Sequence, residues 1–171
     1  MRALLAAGAA LLLIAAAPSS LGFGDRVVPV ANHRAPFAQA DFDGDGVADS
    51  VTVVSVRPGK ALPVDVTVLT DQWASSWRAS QSTKRALAII VGKQHRKFLI
   101  ADPDYFDTPI WNEKQLPLDV AKRGSKAFKE FQSQEKRIKN DIIVLGTEAG
   151  IDTALYWNGK TFVLFEPNEE P

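Results

Sequence analysis

The chain of 171 residues is long enough for one domain, and a hydrophobic content of 46% supplies an ordinary core, which argues against intrinsic disorder. Its 20 basic and 20 acidic residues balance, which argues against a nucleic-acid partner and against a general attraction to anionic membranes. The chain has no cysteine, so disulfides, thiol nucleophiles and the usual zinc sites are not expected.

The N-terminal segment has the pattern of a secretory signal peptide. A short charged start, Met1-Arg2, precedes a continuous Ala/Leu/Ile run over residues 3–17. The run is short for a membrane span and no second one follows it, so we expect no span after signal removal. We predict a signal peptide at residues 1–22, with cleavage between 17 and 24, and therefore a periplasmic or secreted protein. A single β-rich domain is then expected at 23–165, with a flexible tail at 166–171.

The first part of the expected domain is predicted to be extended. Pro29 interrupts the apolar cluster Val27–Val30 and limits it to an edge strand. Farther along, the Pro58-Gly59 turn joins two β-branched runs, 51–56 and 64–70, which predicts a hairpin. No fold is assigned to residues 71–85.

The second part alternates strands with one helix. Local composition predicts two buried strands joined by the polar turn 93–96, a helix that begins near Gly124-Ser125, and a final hairpin at Asn158-Gly159. The remaining predictions are a proline-limited loop at 102–109, a lysine-rich and helix-friendly region at 118–140, and strands at 87–92, 97–102, 141–146, 154–157 and 161–165.

An acidic loop at residues 41–49 carries the most specific chemistry in the sequence. Four aspartates lie within nine residues, and two glycines relax the backbone between them. Such carboxylates repel one another unless a hard cation lies between them, and their spacing matches the oxygen-bearing positions of a calcium loop. We therefore predict Ca²⁺ bound by the side chains of Asp41, Asp43, Asp45 and Asp49 and by the carbonyl of Val47.

Two alternatives apply to this loop. An EF-hand would have a glutamate where the chain has Thr52, and helices rather than strands on both sides. The EF-hand interpretation is therefore rejected. The other alternative is a solvated Asp/Gly turn with no ion.

The segment Asp41-x-Asp43-x-Asp45-Gly46-x-x-Asp49, followed by a β-branched strand, resembles the loop of FG-GAP and VCBS repeat proteins. The resemblance covers about twenty residues. It implies calcium bound between strands of a propeller blade, with the same five ligands. A full propeller needs several hundred residues, so the expectation is a mainly β domain with one or two helices, built of propeller-blade-like antiparallel hairpins.

Other candidates for chemistry are weaker. His33 and His95 lie in separate segments, and Asp102, Asp104 and Asp107 match no ligand spacing, so a capped turn is favoured for these aspartates. No catalytic motif is found. The aromatic residues are predicted to be core residues rather than a ligand platform: Trp73, Trp77, Tyr105, Trp111, Tyr156 and Trp157.

Glutamates are interspersed among the lysines of the predicted helical region, which predicts a solvated face rather than an anion-binding patch: Lys122, Lys126, Lys129, Lys136 and Lys139. The favoured function is that of an exported calcium-binding β module with a structural role or a role in binding an unidentified protein or carbohydrate. The alternative is a cell-envelope hydrolase or enzyme inhibitor that uses the loops around residues 102–111.

Overall fold

β-Branched and alternating runs form ten strands in two sheets in the described part of the chain. A computed structural model describes residues 21–30, 37–59, 61–69, 81–113 and 115–167. The first sheet contains β1 Val27–Pro29, β2 Ala38–Ala40, β3 Asp49–Val56, β4 Val66–Leu69, β5 Thr83–Val91 and β6 Arg96–Ile100. The second contains β7 Leu118–Ala121, β8 Ile142–Leu145, β9 Thr153–Trp157 and β10 Phe162–Phe165. The expectation of a mainly β domain that is not a full propeller is confirmed.

The first sheet has the strand order β1-β3-β5-β6-β4, with β2 also paired to β3. The predicted hairpin between the strands at 51–56 and 64–70 is wrong, because β4 pairs with β6, in parallel. One edge of β3 is occupied by β1 and β2, and the other by β5. Because both edges of β3 are paired, β4, which follows the Pro58-Gly59 turn, lies at the opposite edge of the sheet. The edge position predicted for the first strand is confirmed.

The second sheet is an antiparallel meander with the order β10-β9-β8-β7. Its final hairpin turns at Asn158-Gly159 as predicted: the Asn158 side chain accepts hydrogen bonds from the backbone N–H groups of Lys160 and Thr161, at 2.9 and 3.0 Å. Strand β7 differs from the sequence prediction, which gives region 118–140 as helix-friendly. The strand is only four residues long and lies at the start of that region.

Among the described residues, three helical segments connect the strands: α1 Pro103–Phe106, a 3₁₀ helix at Pro109–Asn112, and α2 Lys126–Gln134. The predicted start of α2 is confirmed, since Ser125 is its N-cap and accepts a hydrogen bond from the Phe128 N–H at 3.2 Å. Helix α2 has nine residues and is shorter than the helix-friendly region predicted at 118–140. No helix among the described residues is long and apolar enough to cross a membrane.

The main core lies between the two sheets and is rich in aromatic residues. The ring of Phe98, on β6, lies 5.5 Å from those of Trp157 and Phe162 in the second sheet. Phe42 belongs to the acidic loop, yet it is fully buried against Phe162. The loop is therefore anchored in the core by its own side chain.

Each sheet also has a smaller cluster on its outer face. On the first sheet, Phe23 is buried beside Val54 and Leu99. On the second, Phe128 and Phe131 of α2 cover the sheet. The predicted signal peptide lies largely outside the described residues, as does most of the unassigned segment 71–85.

Candidate metal site

Two glycines give the acidic loop its shape. Gly44 and Gly46 have φ angles of 81° and 80°, a left-handed conformation that other residues adopt only with strain. A Cβ on Gly44 would also lie 2.6 Å from the side-chain oxygen of Asn140. The glycines of the predicted calcium loop are therefore required by the backbone itself.

Aspartate side chains within the loop accept hydrogen bonds from its backbone. Asp41 accepts from the N–H groups of Gly44 and Gly46, at 2.8 and 3.1 Å. Asp43 accepts from the N–H of Asp45 at 3.1 Å, and Asp45 from that of Val47 at 2.8 Å. The contacts of Asp43 and Asp45, each with the N–H two residues later, are the Asx turns expected of such a sequence.

Asp49 begins β3 and is buried, with 2% of its surface exposed. One carboxylate oxygen accepts from the N–H groups of Phe42 and Asp43, at 2.7 and 3.3 Å, and the other from the N–H of Gly92 at 2.7 Å. Burial raises the pKa of Asp49 above its usual value, and the hydrogen bonds from Gly92 and Phe42 oppose this shift.

The hairpin turn between β5 and β6 covers the loop. The backbone N–H of Lys93 donates to Asp45 at 3.0 Å, and this bond, with that from Val47, lowers the pKa of Asp45. Arg96 donates to Asp43 at 3.0 Å, and its guanidinium lies 4.6 Å from the ring centroid of Trp157. The sequence predicted this turn but not its contact with the acidic loop.

A second support comes from Asp141, which precedes β8. Its carboxylate accepts from the N–H of Asp41 at 3.2 Å and from the N–H of Arg123 at 2.7 Å. The residue is a hundred positions from the loop, so no local pattern indicates its role. It joins the acidic loop to the second sheet.

Three of the predicted ligands come together. Asp41, Asp43 and Asp49 each offer a carboxylate oxygen, and these oxygens lie within 4.8 Å of one another, close enough to hold a metal ion. Asp45 lies outside this group and points toward Lys93. The side chain of Val47 is exposed, which is compatible with a role for its backbone alone.

The other candidates have structural contacts where the structure describes them. Asp107 accepts hydrogen bonds from the N–H groups of Lys84 and Arg85, at 3.3 and 3.0 Å, and so fixes the start of β5. Trp111, Tyr156 and Trp157 are core residues as predicted. Trp73, Trp77 and His33 lie outside the described residues, and His95 is exposed in the turn after β5.

Comparison with known proteins gives no relative from which a function could be transferred. No family model, no curated protein and no solved structure matches the chain.

Proposed function

We propose that the protein is an exported calcium-binding β module in which Ca²⁺ fixes the acidic loop between β2 and β3. The observation that carries the proposal is the convergence of Asp41, Asp43 and Asp49 at one point. Three carboxylates with neither sulfur nor imidazole among them are the donors that hard cations prefer. Ca²⁺ suits the site better than Mg²⁺ because it accepts irregular geometry and more oxygen ligands.

The hydrogen bonds within the loop are compatible with such an ion. Each carboxylate has about four lone-pair sites, and the three converging aspartates use only some of them on backbone N–H groups. Arg96 and Lys93 supply two positive charges against the four aspartates of the loop. Strong negative charge therefore remains at the site, which favours a divalent cation.

The position of the loop supports a structural role for the ion. Asp49 links the loop to the hairpin turn through Gly92, and Asp141 links it to the second sheet. An ion at Asp41, Asp43 and Asp49 would strengthen both links at once. Extracellular modules of this type bind Ca²⁺ at roughly 10⁻⁴ to 10⁻³ M, which suffices where calcium is plentiful. The protein or carbohydrate that such a module would bind is not indicated by the site.

Thermal melting with calcium and chelator tests the proposal. With Ca²⁺ at about one hundred times the Kd, binding adds about 2.7 kcal/mol, which raises Tm by roughly 5–10 °C for a domain of this size. Asp43→Ala should remove most of this rise, because it removes both side-chain oxygens. The matched control, Asp119→Ala, changes charge by the same amount at an exposed position and should keep it.

Asp45→Ala, which removes the side-chain oxygens that asparagine would keep in part, then decides between ligand sets. A retained calcium response supports a site of three carboxylates, whereas a lost response supports the five ligands predicted from the sequence. No change in the Tm of the wild-type protein at about 10–100 mM Ca²⁺, one hundred times the expected Kd, would remove the proposal and leave the ion-free turn as the explanation.

The contacts described for residues 102–111 favour a structural role of this segment over the alternative of a hydrolase or inhibitor. In this segment Phe106 and Trp111 are buried, and Tyr105 bonds to Thr153 inside the domain.

A further inference from the structure

Positive charge is concentrated around α2, although the chain as a whole is balanced. Residues 122–139 contain seven basic residues, Lys122, Arg123, Lys126, Lys129, Lys136, Arg137 and Lys139, against the two acidic residues Glu130 and Glu135. Three of these lysines, together with Gln132 and Ser133, line a groove of about 280 Å³, here called the basic groove: Lys129, Lys136 and Lys139.

The glutamates of this region are engaged outside the basic groove. Glu130 pairs with Lys126 at 3.7 Å. Glu135 binds Arg137 with both carboxylate oxygens, and this contact lowers the pKa of Glu135 to about 2. Within the described ranges, Lys129, Lys136 and Lys139 have no carboxylate partner, and no acidic residue lines the groove. The lysines are exposed, as a solvated face requires, and the groove that they line carries net positive charge.

The backbone that carries the three lysines is held in place. Gln132 donates to the carbonyl of Ile138 at 2.8 Å, which closes the end of α2 onto the following turn. Ile138 is fully buried, and it lies between Lys136 and Lys139 in the chain. The lysine side chains are exposed, but they start from fixed positions around one groove.

We propose that the basic groove binds a phosphate group, as the free ion or as part of a phosphorylated molecule. Three lysine residues line this small groove, their positive charge complements a compact dianion, and lysine is a common phosphate ligand. The volume admits a phosphate group with a few attached atoms. Because the lysines are exposed, binding is weak and falls with added salt; with about three screened charge contacts the Kd for inorganic phosphate is roughly 1–10 mM.

Amide chemical shifts measured during titration with inorganic phosphate, at constant ionic strength set with chloride, test the proposal. The expected result is saturable shifts in residues 129–139. The double variant of Lys129→Gln with Lys136→Gln should weaken binding at least fivefold. Its control, Lys84→Gln with Lys160→Gln, changes the charge equally at exposed positions outside the groove and should bind like the wild type. Unchanged melting temperatures in both variants exclude unfolding as the cause.

Equal losses in the two double variants would overturn the proposal, because they would show a response to net charge alone. Absence of saturable shifts in the groove would also overturn it. Sedimentation with vesicles separates the sources of phosphate. If the wild-type protein pellets with vesicles of anionic phospholipid and the double variant of Lys129→Gln with Lys136→Gln does not, the site binds a lipid headgroup. If the wild-type protein binds phosphate but does not pellet with the vesicles, the site binds a soluble phosphate compound.

Discussion

Replacement of Arg96 by glutamine should increase the affinity of the acidic loop for Ca²⁺. Arg96 donates to Asp43 at 3.0 Å and lies over the ring of Trp157. It thus occupies an oxygen of a proposed ligand and places a positive charge beside the proposed ion. Removal of this side chain frees the carboxylate and relieves the repulsion.

The size of the effect follows from the distances. An ion bound to Asp43 at about 2.4 Å would lie roughly 5 Å from the guanidinium. In a water-like dielectric, repulsion between one and two unit charges at that distance is about 1.7 kcal/mol, more than tenfold in Kd. The water-like value applies because 39% of the Arg96 side chain is exposed. Without calcium the same variant should be less stable by about 1 kcal/mol, because it loses the ion pair and the contact with Trp157.

Calorimetric titration and melting curves measure both effects. Arg96→Gln should melt lower than the wild type in chelator, yet show the larger rise in Tm with Ca²⁺. Lys97→Gln is the matched control, at the position after Arg96 on β6. It also removes one positive charge and one ion pair, the pair between Lys97 and Asp65. This control should lose stability without a gain in calcium affinity. An unchanged or weaker Ca²⁺ affinity in a folded Arg96→Gln protein would refute the reasoning.

Three further predictions concern the domain. Asp141→Ala should lower the free energy of unfolding, measured by urea denaturation, by about 1–3 kcal/mol, because two backbone N–H groups lose their acceptor. A change within experimental error would show that water replaces the carboxylate. Phe23→Ala should cost about 3–4 kcal/mol in the same assay, whereas Val64→Ala, at a fully exposed position, should cost almost nothing; equal costs would contradict the burial of Phe23. Burial raises the pKa of Tyr105 to about 12 and also raises that of Tyr156, so phenolate absorbance should develop above the usual range near pH 10. The stability that the folded protein gains by keeping these tyrosines protonated is fully present below about pH 10 and is lost as the pH rises toward 12. Phenolate formation at the usual pKa in the folded protein would count against this expectation.

Local signals in the sequence were sufficient for several elements. The Asn158-Gly159 turn, the cap at Ser125 and the edge strand with Pro29 all depend on a few neighbouring residues, and the structure confirms each of them. The acidic loop belongs to the same class, since its glycines and its Asx turns are specified within nine residues. Short-range backbone preferences and side-chain acceptors decide such features without help from the rest of the chain.

Strand pairing was decided only by the tertiary structure. The run at 64–70 indicates a strand but not its partner, and β4 joins β6 because β1, β2 and β5 occupy the edges of β3. Strand β7 has too few residues for a periodic signal, and it becomes a strand through its ladder with β8. Pairing depends on which edges remain free, and that is a property of the whole sheet.

The surroundings of the candidate metal site were decided in the same way. By itself the sequence predicted that the aspartates of the loop would converge, and the structure brings together Asp41, Asp43 and Asp49 while it leaves Asp45 outside the group. The contacts from Gly92, Arg96 and Asp141 join residues that lie 43, 53 and 100 positions apart, and only the packing of the two sheets brings them together. Around α2 the glutamates pair with near neighbours in the chain, Glu130 with Lys126 and Glu135 with Arg137, and the fold of the helix onto the following turn places Lys129, Lys136 and Lys139 around one groove.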